Sequence, residues 1–315
     1  MKFKHGNTWI VLASGLWALG LAADVLPILR GDFGWRWPYE APKEPGRLLP
    51  LLLALLLYLV GAWWLRRRTR ALPLVSWSVL GGVVLTIAGL YVRSDPLFEL
   101  YAGTVDPGAA GWHYAAARIE DTDATLRDWP AYMVKAYSYS AHVRLSPPGQ
   151  VMIYHAANQV FAGWPAVADR LGMPLRAAQC HNLRLMTFSN AELASAWLGM
   201  LMPVWGALTV VPLYRLGHRL FGDEATRWSV IWWPLTPAVL MFAPAPNTFY
   251  PFLAVMTVAL LVKGVVERRM IWVLMAGCVM SCLTFLTLSV LPLLGVVAAV
   301  IVGRRWVTAP TSDFA

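Results

Sequence analysis

Long apolar runs separated by short charged or proline-bearing breaks dominate the chain. Runs at residues 8–29, 47–65, 72–92, 192–214, 228–243 and 249–266 approach or reach the length of a membrane crossing, since about 20 apolar residues cover about 30 Å of hydrocarbon. Residues 270–303 are too long for one crossing, and Thr287 to Pro292 offers a hinge, so this stretch predicts two helices joined by a tight turn. The pattern therefore predicts an all-α, polytopic transmembrane protein with about eight helices. It divides into an N-terminal hairpin, residues 1–71, and a membrane domain, residues 72–315, whose one large polar segment is 93–190.

The distribution of basic residues gives an orientation. With the N-terminus inside, the inner segments receive Lys2, Lys4, Arg66, Arg67, Arg68, Arg70, Arg215, Arg219, Arg227, Lys263, Arg268, Arg269, Arg304 and Arg305. These are 14 of the 26 basic residues, set against four acids, whereas segments 30–47 and 93–190 hold 12 bases and 11 acids. This is the positive-inside bias of short loops. It makes the chain an integral protein of a prokaryotic cytoplasmic membrane with its long loop outside. The first run ends at Pro27 and Arg30 without a small-residue cleavage site, so it reads as a helix rather than a signal peptide.

Composition agrees. The 315 residues are 58% hydrophobic and 14% charged, with mean hydropathy +0.54 and net charge +9, which excludes an ordinary soluble enzyme. The positive charge is dispersed over inner loops beside lipid headgroups, so it argues for a membrane and against nucleic acid as the partner. Three cysteines make no disulfide scaffold, and Cys278 and Cys282 read as small apolar filler in a helix. The six histidines show no HExxH or paired-ligand spacing, so no metal site is expected. Walker, GxGxxG and GxSxG motifs are absent from the sequence, which removes the ATPase, Rossmann and serine-hydrolase readings.

Candidate chemistry concentrates outside. The segment 93–190 carries Trp112, Tyr114, Trp129, Tyr132, Tyr137, Tyr139, Tyr154 and Trp164, aromatics of the type that settles at a membrane interface. Pro147-Pro148-Gly149 predicts the start of an interfacial helix over 150–171, and 112–135 predicts a short helix pair broken near Pro130. Among the acids, Asp95 follows the third span at headgroup level, where a general base meets an acceptor; its alternative role is a helix-end residue paired with Arg93. Asp106 in Val-Asp-Pro-Gly is a base candidate or a turn former. Asp32 is the third candidate, in a loop where Trp35 and Arg36 suit sugar stacking and phosphate binding, or simple interfacial anchoring. His142 and Arg144, before Ser146-Pro147-Pro148-Gly149, suit a phosphate or pyrophosphate.

Three features together resemble the GT-C superfamily of membrane glycosyltransferases, which includes protein mannosyltransferases, aminoarabinose transferases and RgtA/B/C/D-like domain proteins. They are a span followed by a long outer loop over 72–190, the row HVRLSPPG opening an amphipathic helix, and the row LYRLGHRLFGDEATRWSVIWWPLTPAVLMFAPAPNTFYPFLAVM. The resemblance covers about residues 72–305. It implies transfer of a sugar from a polyprenyl-phosphate donor to a glycan, lipid or protein acceptor outside the membrane, by inverting displacement with an outer-loop carboxylate as base. Carried over, Asp95 or Asp106 is the base and His142 and Arg144 hold the departing phosphate; the resemblance leaves open whether a divalent metal takes part. The chain departs from the family at Asn247, where relatives often carry an acid. It also ends soon after Arg304-Arg305, which reads as a fragment, a reduced homologue or a subunit without catalysis. Two further readings compete. A non-catalytic membrane subunit, bound to lipid or to membrane-protein partners, would tolerate loss of every candidate acid. A secondary transporter would need internal repeats and mid-membrane ionisable groups, and the acid nearest an apolar run's interior is Asp24, close to its outer end.

Overall fold

A computed structural model of the chain describes residues 5–25, 27–31, 44–136 and 142–308; these are entirely helical or irregular, without strands. The helices are α1 (His5–Ala22), α2 (Leu48–Arg66), α3 (Leu72–Arg93), α4 (Pro96–Val105), α5 (Trp112–Ala116), α6 (Thr122–Arg127), α7 (Trp129–Ala136) and α8 (Gly149–Ala162). They continue as α9 (Pro165–Gly172), α10 (Asn190–Met200), α11 (Met202–Ala207), α12 (Val210–Trp232), α13 (Pro237–Met241), α14 (Tyr250–Glu267), α15 (Met270–Leu286) and α16 (Leu293–Thr308). Four stretches among the described residues are long and apolar enough to cross a membrane: Pro45–Arg66, Leu72–Arg93, Asn190–Met241 and Pro246–Glu267. Leu12–Leu21, Met270–Leu286 and Leu288–Gly303 are shorter apolar helices. Large apolar side chains face outward along α2, including Leu52, Leu56, Leu57 and Val60. That is the reverse of a water-soluble helix and the expected surface of one in lipid.

Residues 1–45 form one compact unit and 46–315 another. α2 belongs with the larger unit. In the N-terminal unit, α1 ends at Ala22, seven residues short of the end of the apolar run. The chain turns through Asp24, which has a left-handed backbone at φ 50°, into a 3-10 turn at Pro27–Arg30. Arg30 clamps the Asp24 carboxylate with both nitrogens, at 2.7 and 3.1 Å.

In the larger unit, α2 and α3 pack as a close pair because glycine admits an aromatic ring on each. A Cβ on Gly81 would lie 2.2 Å from the Tyr58 ring, and one on Gly61 would lie 2.5 Å from Trp77. Small residues permit this close approach between helices in lipid. Trp77 donates its indole N–H to the Tyr58 carbonyl (3.0 Å), and the Tyr58 hydroxyl donates to the Ile231 carbonyl (2.7 Å). Ile231 is in the last turn of α12, where carbonyls lack intrahelical partners.

The stretch 190–241 is not one crossing. Gly222 has φ 80° and ψ −179° inside α12, a conformation open to glycine and costly for other residues. A Cβ on Gly217 would lie 2.9 Å from Thr226 Oγ1, although nine residues of straight helix would separate them by about 13 Å. The chain therefore doubles back at Gly222, between the runs 192–214 and 228–243. The buried Arg227 ties this corner to the turn after α2: its guanidinium bonds Asp223 and donates to the carbonyls of Arg66 (3.3 Å) and Thr69 (3.1 Å). After α14, the α15–α16 pair is joined through Thr287–Pro292 as the pattern predicts.

The segment between α3 and α10 folds as a packed helical unit, and here two expectations are corrected. Trp112, Trp129, Tyr132 and Tyr154 are buried together in one core with Val143 and Val151, so these aromatics are interior residues and not interfacial ones. The helix over 150–171 is broken at Gly163 and Trp164 into α8 and α9, with Pro165 opening the second. Trp164, Val160 and Ile153 remain exposed. The start of α8 lies against the membrane helices: a Cβ on Gly149 would meet the Phe285 carbonyl at 2.4 Å, and Gln150 donates to the Tyr250 hydroxyl (2.7 Å). Cys278 and Cys282 sit on the exposed surface of α15 rather than filling the interior.

Replacing Arg227 by methionine leaves the Arg66 and Thr69 carbonyls without a charged donor, at an expected cost of about 3 kcal/mol. Arg68, exposed over the Trp64 ring at 4.0 Å, provides the control: Arg68→Gln should cost less than about 1 kcal/mol. Thermal unfolding of both variants in detergent checks the difference.

Candidate functional site

The largest collection of candidate groups lines a cleft of about 540 Å³ between α4 and the 241–245 segment. Its charged residues are Arg93, Glu99 and Asp106, and its apolar wall includes Ala110, Phe242 and Pro244. The two sides approach closely at Gly103, where a Cβ would sit 2.7 Å from Pro244 Cδ. Glu99 and Asp106 are seven residues apart, two turns of α4, so they share one face about 10 Å apart along the axis.

Each carboxylate has its own partners. Glu99 accepts from the Ser94 hydroxyl at 2.7 Å and lies 3.6 Å from Arg93 Nη1, while most of the Arg93 side chain stays exposed. Asp106 ends α4. Its Oδ1 accepts the Gly108 amide at 2.7 Å, the Asx turn its Pro-Gly context predicts, and its Oδ2 accepts from Asn182 Nδ2 at 3.2 Å. His181 Nε2 is 3.9 Å from the same oxygen. The His181 ring is held edge-on to Phe98, with Nδ1 2.5 Å from the Ala178 carbonyl. With Nδ1–H donated there, Nε2 meets Asp106 as a lone pair when the ring is neutral and as a donor when it is charged. A carboxylate has about four acceptor positions, and two are used here. Asp106 can therefore still accept a hydroxyl entering the cleft.

The other sequence candidates are placed elsewhere. Asp95 is the N-cap of α4, accepting the Phe98 amide at 2.9 Å, and Arg93 pairs with Glu99 rather than with it. His142 is exposed 5.9 Å from the Trp112 ring, and Arg144 is exposed in the 3-10 turn Val143–Leu145; neither lines the cleft. Asn247 is exposed in the 3-10 turn Pro246–Thr248, just beyond the cleft-lining Ala245. Asp32, Trp35 and Arg36, with Tyr137 and Tyr139, lie outside the described residues. Sequence reasoning missed Glu99, His181 and Asn182. The seven-residue spacing to Asp106 could have flagged Glu99; no local signal marks the other two, whose contact with Asp106 spans more than 70 residues.

His113 and His155 are structural by their surroundings. His155 bridges Thr122 Oγ1 (2.9 Å) and the Ala116 carbonyl (3.2 Å). His113 is fully buried, its Nε2 2.8 Å from the Glu192 carbonyl and 3.0 Å from Ser195 Oγ. Burial pushes its pKa down to about 4. No group of three or more His, Cys, Asp or Glu side chains suited to a metal ion occurs among the described residues.

No family model, curated protein or solved structure matches the chain.

A lowered histidine pKa sets the sign of a pH dependence. Between the folded value of about 4 and an unfolded value of about 6.5, the unfolded chain binds the extra proton, so stability falls as pH falls through that window. The contribution of His113 is complete above pH ~6.5, and about 2 kcal/mol of it is lost by pH 5. In His113→Gln, thermal unfolding between pH 7 and pH 5 should be flatter by that amount.

Proposed function

We propose that the chain transfers a sugar from a polyprenyl-phosphate donor to an acceptor at the outer membrane surface, with Asp106 as the general base. The observation that carries this reading is the cleft in which an incompletely engaged carboxylate, Asp106, shares a wall with an exposed arginine, Arg93. The acceptor hydroxyl gives its proton to Asp106 as its oxygen attacks the anomeric carbon. The bond from that carbon to the lipid phosphate oxygen breaks, and the phosphate leaves with the electron pair, beside Arg93. Gly108 N–H and the Asn182 amide hold the carboxylate in place. Glu99, beside Arg93, keeps the guanidinium at the cleft wall.

The basic inner loops and the apolar helices support a GT-C-like arrangement. On this reading α1, α2, α3, the two arms of α12 with their neighbouring helices, α14, α15 and α16 are the eight crossings, and 93–190 is outside. The reading shifts the base from the shared candidacy of Asp95, Asp106 and Asp32 to Asp106, because Asp95 serves α4 as its cap.

Transfer of radiolabelled sugar from a panel of polyprenyl-phosphate sugars to membrane acceptors tests it. Asp106→Asn should lower transfer by about 100-fold or more, the usual contribution of a general base. Asp95→Asn keeps a good N-cap residue and should leave transfer within about twofold. Full transfer by Asp106→Asn would sink the assignment. A wild-type chain that binds the carrier but transfers nothing would make the protein a non-catalytic lipid-binding subunit.

A further inference from the structure

A separate cavity has its charged end at the far end of α14 from the cleft described above. It encloses about 730 Å³ between α12, α14 and α15. Phe252, Met256, Leu260 and Met275 are among its apolar walls, and Arg215, His218, Arg219 and Lys263 gather at one end. Along α14 the lining runs from Phe252 to Lys263, eleven residues or about 16 Å. That depth matches one leaflet, half of the ~30 Å hydrocarbon core.

The charged end is only partly neutralised. Arg219 pairs with Glu267 at 2.8 Å, and His218 lies 3.7 Å from Asp223 while stacking on Tyr214. Lys263 rests 3.3 Å above the Trp272 ring, and Arg215 has no acidic partner among the described residues. Trp272, which lines the same cavity, has its indole N–H buried without an acceptor. Two cations and an unused donor at the mouth of an apolar slot one leaflet deep fit a ligand with an anionic, acceptor-rich head and an acyl tail.

We propose that this cavity binds an anionic glycerophospholipid, with its phosphate at Arg215, Lys263 and Trp272 and one acyl chain along α14. A free phosphate would satisfy the cations and leave the slot empty; a zwitterionic lipid would fill the slot and bring its own cation to the mouth. The site does not depend on the glycosyltransferase reading. Its charged end lies at the far end of α14 from the 241–245 segment, about 20 Å by helix rise from Tyr250 to Lys263, and so serves the opposite leaflet.

The test uses the full chain, purified in detergent and stripped of lipid, with phosphatidylglycerol, phosphatidylcholine and inorganic phosphate as separate probes. Binding is read by native mass spectrometry and by the shift in Tm. Phosphatidylglycerol should bind saturably and raise Tm. Arg215→Gln and Lys263→Gln should each weaken it about fivefold, and the pair about 25-fold. Ala259→Phe, which narrows the slot and leaves the cations in place, should weaken it by a similar factor. Equal binding of phosphatidylcholine, a Tm rise with inorganic phosphate alone, or wild-type affinity in the double variant would each overturn the proposal. Each variant is compared with its own lipid-free Tm, and exposed Arg215 carries the test by itself should the Lys263 variant fail to fold.

Discussion

A chain that reverses direction at the end of a membrane helix frees backbone carbonyls, and those buried by the packing must find their donors in the protein. Arg227 answers that constraint for two reversals at once. It lies five residues beyond the corner at Gly222, stays buried, and places its fork on Asp223 and on the carbonyls of Arg66 and Thr69. The turn between α2 and α3 and the corner of α12 are thereby held by one side chain. At the other end of α12's second arm, the Tyr58 hydroxyl meets the Ile231 carbonyl. Arginine suits the first position because its planar fork serves several acceptors while remaining charged. A lysine carries its three N–H donors on one nitrogen, where these acceptors are met by three separate nitrogens of Arg227.

With that bundle fixed, the unit between α3 and α10 is built by a different logic. It buries tyrosines, tryptophans and two histidines and gives several of their polar atoms to backbone carbonyls, Tyr132 on Ala115, Trp129 on Ser146 and His155 on Ala116, while the Tyr101 hydroxyl, Trp112 Nε1 and His113 Nδ1 are buried without a partner among the described residues. Such a core is dense and directional, and it keeps α4 in register against α10. The close approach of Gly199 to Thr104 and the Tyr154 hydroxyl leaves no room for a side chain there. The cleft containing Asp106 forms where this unit meets the 241–245 segment, with Gly103 against Pro244.

The apolar helices were legible because burial in lipid writes itself into the sequence as length and hydropathy. α2, α3 and α14 match the predicted runs to within one or two residues, and the turn at Thr287–Pro292 falls where the run exceeded one crossing. Less legible was the unit between α3 and α10. Aromatic residues favour both interfaces and protein cores, so composition could not separate the two for Trp112 or Trp129. The break between α8 and α9 had a local signal in Gly163-Trp164-Pro165, which the amphipathic pattern outweighed. In the cleft, Asp106 was recognisable as a turn residue and a candidate base. Its partners His181 and Asn182 come from a distant segment, and only tertiary packing brings them there.

The same helix connects the two unusual features of the molecule. α14 starts at Tyr250, whose hydroxyl takes a hydrogen bond from Gln150 of α8, and finishes beside Lys263 and Glu267, which face the basic arm of α12. One end thus packs on α8 and the 241–245 segment, and the other carries charge into the 730 Å³ cavity. A glycine at 264 brings α15 close, since a Cβ there would lie 2.8 Å from Val273. A negative headgroup at Lys263 and Arg215 would neutralise repulsion between α12 and α14 at the point where no internal acid reaches Arg215.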